Sequence, residues 1–243
     1  MKLTDLTILY EDTHILVCIK PAGIATQSAR ASSPDMVSLL KNHLYKNGTE
    51  KKEPYLAVIH RLDQPVEGIL VFAKTPFAAK ELNKELQGSG FGKHYHARVV
   101  GKPPKDSDVL EDYMVKDGRT NTSRICSKDT EGAKLARLTY TVIPEAIASR
   151  DMDSKDIDSK DTDTNANTTL LDILLDTGRH HQIRVQLANM GCPIVGDQKY
   201  GADAALSEVK RTTPCRGKTK LELCAYKLEF HHPKIKKNMS FSI

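Results

Sequence analysis

No stretch of this chain approaches the roughly 18 to 20 consecutive apolar residues that a membrane-spanning helix needs. The opening Met1-Lys2-Leu3-Thr4-Asp5-Leu6-Thr7 also lacks the apolar core of a secretory signal. Both absences lead us to expect a protein of the cytoplasm with no membrane partner. Cysteine is scarce and unpatterned: the five, at 18, 126, 192, 215 and 224, are odd in number and never spaced Cys-x-x-Cys. Neither a disulfide framework nor a thiolate zinc site is suggested, so reduced thiols are the expectation. Aromatic residues are few, at 5%, yet 39% apolar content over 243 residues is ordinary for a soluble fold, long enough for one large domain or two small ones.

Two motifs are each missing a part. Gly88-Ser89-Gly90-Phe91-Gly92-Lys93 has the outline of a phosphate loop, but Gln87 stands where the first glycine is required and His94 where Ser or Thr must follow the lysine. A nucleoside triphosphatase is thereby rejected. His94 and His96, two apart, could share a metal, but a zinc site needs a third protein ligand and no His-Glu-x-x-His occurs. The expectation is no metal, with two surface histidines suited to phosphate or water.

What is present is basic charge, unevenly spread. The net charge is +5, but residues 150 to 168 set Arg150, Lys155 and Lys160 against six aspartates and so carry −3, which leaves +8 for the remainder. A basic body fits a polyanionic substrate. Asp-Ser-Lys-Asp occurs at 153 to 156 and again at 158 to 161, in a stretch with almost no apolar content. Such a segment cannot bury enough surface to offset its ordering entropy, so residues 147–168 are expected to be a disordered acidic loop between two strands.

The remaining pattern alternates strands with a few helices. Ile8-Leu9-Tyr10 and Ile15 to Ile19, around a polar centre, predict a hairpin. Ser33-Pro34-Asp35 followed by Val37, Leu40 and Leu44 predicts a capped amphipathic helix, and Thr75-Pro76 ahead of Ala79, Leu82 and Leu86 predicts another. From Lys93 to Val100 the chain alternates, which places Lys93, Tyr95, Ala97 and Val99 on one face. Residues 112 to 124 read as polar with a turn at Asp117-Gly118, and strands are expected at Ala136 to Ile143, Leu170 to Leu175 and Leu221 to Phe230. Asp176-Thr177-Gly178 is read as the opening of a helix in which Arg184 sits at the edge of the buried stripe, with Arg179, His180, His181 and Gln182 at its start, where helix N-termini favour phosphate. Lys210, Arg211, Arg216, Lys218 and Lys220 suggest a basic rim.

One stretch interrupts two apolar runs, Tyr55 to Ile59 and Ile69 to Ala73, with charge, a proline and a glycine: His60-Arg61-Leu62-Asp63-Gln64-Pro65-Val66-Glu67-Gly68. It reads as strand, loop, strand with Asp63 at the bend, Arg61 and Asp63 projecting to one side. An R-x-D pair of this kind can equally serve loop geometry alone.

His60-Arg61-Leu62-Asp63, then Lys93-His94-Tyr95, then Gly178-Arg179-His180-His181-Gln182-Ile183-Arg184-Val185 resemble the RluA-type family of RNA pseudouridine synthases. The likeness runs from about Ile8 to about Pro233, through Lys20-Pro21-Ala22-Gly23 and through Pro193-Ile194-Val195-Gly196-Asp197 with Lys199-Tyr200-Gly201. It implies an α+β catalytic domain, a largely antiparallel mixed sheet bent around a central cleft, spanning 1–243 as a single domain without an S4 domain. It implies a monomer that acts on ribosomal or transfer RNA rather than DNA and needs no cofactor. Asp63 would engage the substrate covalently, Tyr95 would stack on the extruded uracil, and Arg184 would keep the carboxylate ionised and oriented. Arg61, Lys93, Arg179, His180 and His181 would meet the RNA. Attack at ribose C1′, attack at uracil C6 and a glycal route all remain open. The commonest family form places Thr-Ser or Thr-Thr before the glycine, whereas here Val66 and Glu67 stand there, which puts the tie that holds the loop in question. A non-catalytic RNA-binding protein on the same scaffold is the alternative.

Overall fold

The structure is a computed structural model that describes residues 6–28, 33–48, 52–88, 90–144, 168–201 and 220–243. The acidic repeat therefore lies outside the described residues, as do Lys210, Arg211, Arg216 and Lys218 of the basic stretch. In chain order the elements are β1 (Thr7–Glu11), β2 (Ile15–Lys20), α1 (Met36–Asn47), β3 (Ala57–Val58), β4 (Glu67–Ala73), α2 (Pro76–Gln87), β5 (Gly92–Val100), β6 (Ser107–Asp117), β7 (Thr122–Cys126), β8 (Lys134–Val142), β9 (Thr168–Leu175), α3 (Gln182–Asn189), β10 (Leu223–His231) and β11 (Asn238–Ser242). Antiparallel pairs dominate, and β4 and β10 pair in parallel, so the class is α+β with a mixed sheet. The chain forms two compact units, Met1–His94 with Cys224–Ile243, and Tyr95–Leu223.

In the first unit, the β1–β2 turn is fixed by Asp12, whose Oδ1 accepts the amides of His14 at 2.7 Å and Ile15 at 2.8 Å. β2 and β4 are nearly continuous apolar strands, Ile-Leu-Val-Cys-Ile and Ile-Leu-Val-Phe-Ala, paired antiparallel from Ile15↔Ala73 to Lys20↔Gly68. Strands covered on both faces have this composition. Both helices start where side chains supply the missing acceptors. Asp35 and Ser38 form a capping box on α1, and the Thr75 hydroxyl accepts the Ala78 amide at the head of α2, with Pro76 in its first turn. Ile15, Val17, Ile69, Val71, Leu82, Phe91 and Phe230 make the core between them.

The strand expected from Tyr55 to Ile59 shrinks to Ala57 and Val58. Beyond it the chain leaves the ladder, because the hydroxyl of Thr26 takes both backbone groups of Leu62: it donates to the carbonyl at 3.0 Å and accepts from the amide at 3.1 Å.

The second unit orders its strands β5-β9-β8-β6-β7. β5 alternates as its sequence requires, with Tyr95, Ala97 and Val99 buried. The polar stretch at 112 to 124 is more regular than a turn: β6 and β7 pair from Tyr113↔Cys126 to Asp117↔Thr122, and Asp117 caps the reversal by accepting the amide of Arg119 at 2.8 Å. The helix expected from Asp176 begins only at Gln182, after His181 in the left-handed region at φ 56°. Every residue from Gln182 to Leu187 is buried, so Arg184 lies inside the unit rather than at the edge of a stripe. A helix buried all round needs polar partners, and Gln182 and Gln186 find them. Gln182 donates to the Arg137 carbonyl at 3.1 Å and to Gln186 Oε1 at 3.0 Å, and Gln186 donates to Asp112 at 2.7 Å.

Candidate active site

Asp63 belongs to the first unit; Tyr95 and Arg184 belong to the second. Asp63 is half-buried, at a turn closed by the Val66 amide donating to the Asp63 carbonyl at 3.0 Å. The turn is tied to Lys20-Pro21-Ala22-Gly23. The Gly23 amide donates to the Gln64 carbonyl at 2.8 Å, and the Gln64 side-chain amide returns a bond to the Gly23 carbonyl at 2.9 Å. Lys20 is fully buried, its Nζ donating to the carbonyls of Ile24 at 2.7 Å, Pro21 at 3.0 Å and Gln64 at 3.1 Å. An ammonium with three donors thus meets three acceptors. Burial pushes its pKa down to about 8, while the negative charges of Asp63 and Glu67 pull it up. At neutral pH a positive charge therefore lies within electrostatic reach of both carboxylates.

The neighbours of Asp63 divide by exposure. Arg61 is exposed and Leu62 is buried. The part-buried His60 ring packs edge-on against Phe91, 5.6 Å between centroids, and accepts the Val71 amide at Nε2 at 3.4 Å. Burial, reinforced by the charge of Lys93, pushes its pKa down to about 3, so the ring is neutral. Its Nδ1 is buried and has no hydrogen-bond partner among the described residues. Lys93 is buried too, at 7% exposure. His94 pairs with Glu229 at 3.1 Å, and among the described residues no three His, Cys, Asp or Glu are grouped to hold a metal.

In the second unit Tyr95 lies on the buried face of β5, 5% exposed. Arg184 is likewise 5% exposed and makes a two-bond pair with Asp197, Nε to Oδ2 and Nη2 to Oδ1, each 2.7 Å. Asp197 Oδ1 also accepts the amides of Lys199 at 2.9 Å and Tyr200 at 3.1 Å. Burial pushes the Asp197 pKa up, but the guanidinium and the two amides outweigh it and hold the carboxyl below its usual range. The Arg184 guanidinium carbon lies 5.2 Å from the centre of the Tyr200 ring. The phenol oxygen accepts the Ser123 amide at 2.8 Å and lies 2.8 Å from His181 Nδ1. His180 stacks on His181 with centroids 3.7 Å apart and reaches the Ser123 hydroxyl at 2.9 Å, while Arg179 is exposed and donates to the Leu135 carbonyl at 2.8 Å.

Sequence reasoning named Arg184 but gave no role to Asp197, Tyr200, Gln186 or Lys20. The one available signal was that a buried arginine must find a buried carboxylate, and 31 acidic residues compete for that part.

Residues 14–189 match the family model described as RNA pseudouridylate synthase. The chain is 31% identical over 228 residues to the dual-specificity RNA pseudouridine synthase RluA of Vibrio vulnificus, covering 93% of this chain and 78% of that protein. It is 32% identical over 232 residues to the ribosomal large subunit pseudouridine synthase D of Nitrosomonas europaea, covering 94% of this chain but only 58% of the relative. Among solved structures, human RNA pseudouridylate synthase domain containing 4 is similar with a TM-score of 0.70 at 21% identity, covering 98% of this chain and 87% of that one, a likeness of fold.

Proposed function

The chain belongs to the RNA pseudouridylate synthase family, and on that premise we propose that it is an isomerase converting particular uridines of ribosomal or transfer RNA to pseudouridine. The whole chain acts as one catalytic domain, a monomer in the cytoplasm. The reaction exchanges a C–N glycosidic bond for a C–C bond with no net redox change, so side chains suffice for it. Asp63 is the carboxylate that engages the uridine, Tyr95 the flat partner for the extruded base, and Arg184 the cation of the site. Arg61 and Arg179, both exposed, and the part-exposed His180 take the RNA. Lys93 and His181 are buried, which suits them to shaping the ground beneath those contacts.

The observation that carries this reading is the state of the Asp63 loop. A half-buried carboxylate stands on a turn tied by three hydrogen bonds to the Lys20–Gly23 stretch, with a buried positive charge near it. A loop aspartate serving geometry alone would need no such support. The family supports an enzyme over a binding-only protein.

Asp63→Asn removes the charge with little change of shape. RNA binding is expected to persist while release of tritium from C5-tritiated uridine in RNA falls to background. Wild-type turnover by the Asn variant would end the assignment.

A further inference from the structure

We propose that Asp197 and Tyr200 are positioning residues of the reaction, which hold the Arg184 guanidinium in one orientation. This rests on the reading that Arg184 acts in catalysis. A guanidinium on a long side chain has many rotamers, and a cation fixed in advance does more for a developing charge than one that must be ordered at each turnover. Here two parallel bonds to Asp197 fix both the plane of the guanidinium and its rotation within that plane. Asp197 is itself fixed, because the amides of Lys199 and Tyr200 converge on its Oδ1 and its side chain is fully buried.

Tyr200 closes the arrangement from another side. Its ring lies under the Arg184 guanidinium, and its oxygen is engaged by the Ser123 amide of β7 and faces Nδ1 of His181, the residue immediately before α3. One phenol thus connects the helix bearing Arg184, the turn bearing Asp197 and the β6–β7 hairpin. A purely structural ion pair would need no second group beneath the guanidinium and no amides to lock its carboxylate.

The test is kinetic, with C5-tritiated total RNA from cells in which this gene is deleted as substrate. Asp197→Asn is expected to lower kcat by about 30-fold with KM changed less than about twofold, since the cation remains but its direction is lost. Tyr200→Phe keeps the ring and removes the oxygen, and is expected to lower kcat by about 5-fold, again with KM unmoved. Arg184→Lys cannot make the two-bond pair, so adding Asp197→Asn to it should cost less than about a further twofold.

Should Asp197→Asn fail to fold, Tyr200→Phe decides alone, and a wild-type kcat there overturns the proposal. An Asp197→Asn loss that repeats in full in the Arg184→Lys background also overturns it, because the carboxylate would then act by some other route. Arg184→Lys at the wild-type rate would instead remove the underlying reading of Arg184, and this proposal with it.

Discussion

The Asp63 loop is held through main-chain atoms, carbonyls of Pro21, Ile24 and Gln64 gathered on one buried lysine, whereas Arg184 is held through side chains, a carboxylate and a phenol. Of the loop's own side chains, these ties use only that of Gln64. That explains how Val66 and Glu67 can stand where hydroxyl residues are usual in the resemblance: the Gly23–Gln64 exchange and Lys20 do the holding without them. Ties through side chains have no such tolerance. Every member of the Arg184 group has a particular shape or charge that its partners require.

The comparison breaks most sharply at Gly68, where the Asp63 loop joins β4. Its φ is +137°, and a Cβ there would lie 2.4 Å from the Ala225 carbonyl oxygen and 2.6 Å from the Ala225 Cβ. Gly68→Ala combines forbidden backbone with a clash against a neighbouring strand, and is expected to cost at least about 4 kcal/mol. Gly23 has φ +90° but open space where a Cβ would go, so Gly23→Ala should cost only about 1 to 2 kcal/mol. Urea unfolding of the two variants measures the gap. Equal midpoints would mean that β10 does not confine the loop.

Lys20→Met comes next and probes the main-chain tie directly. In the fold this lysine titrates near 8, below its ordinary 10.5, so between those values the unfolded chain binds the proton and the folded chain does not. Stability from this group therefore rises with pH across that window, and at neutral pH burial of the charge costs roughly 3 kcal/mol. Methionine removes that cost but leaves three buried carbonyls without a donor, each about 1 to 3 kcal/mol. The carbonyls outweigh the charge, and a net loss of about 2 to 4 kcal/mol is expected at pH 7. Thermal unfolding followed from pH 7 to about 10.5 should show the alkaline gain in the wild type and not in the variant. A variant as stable as the wild type at pH 7 would show that the carbonyls find other donors.

How much of this was legible in the sequence follows the same division. The β1–β2 hairpin, both capped helices and the alternation of β5 were readable because each is specified by residues close together: Asp12, Asp35 with Ser38, Thr75 with Pro76, and a strict period of two. The length of the strand before Asp63 and the start of α3 were not, because distant residues decide them. Thr26 takes the backbone of Leu62 from 36 positions away, and Gln182 and Gln186 bury a polar helix by reaching Arg137 and Asp112. β6 and β7 were hidden by their polarity, since each buries a single residue, Met114 and Ser123, among exposed and part-exposed ones. The motifs marked Asp63, Tyr95 and Arg184 as the proposed functional residues, but a motif does not say what holds each of them. Lys20 and Asp197 both fall in stretches that carried the family likeness, and only their contacts assign them work.

The smallest expected effect lies at acid pH and separates the two regions by sign. Asp197 is held below its ordinary carboxyl range in the fold, so its pairing stabilises the protein fully above that range. As pH falls through the ordinary value and below, the unfolded chain takes the proton first and the contribution fades. Removing the carboxylate should therefore destabilise the protein at pH 7 and matter progressively less as pH falls below the ordinary carboxyl range, as the wild type loses the same interaction. Thermal unfolding midpoints of the wild type and Asp197→Asn across that range should converge on acidification, while those of the wild type and Lys20→Met should not. A gap that stays constant as pH falls below that range would place the weight of Asp197 in its shape and amide contacts rather than in its charge, and the side-chain grip on Arg184 would then be geometric, as the backbone grip on Asp63 is.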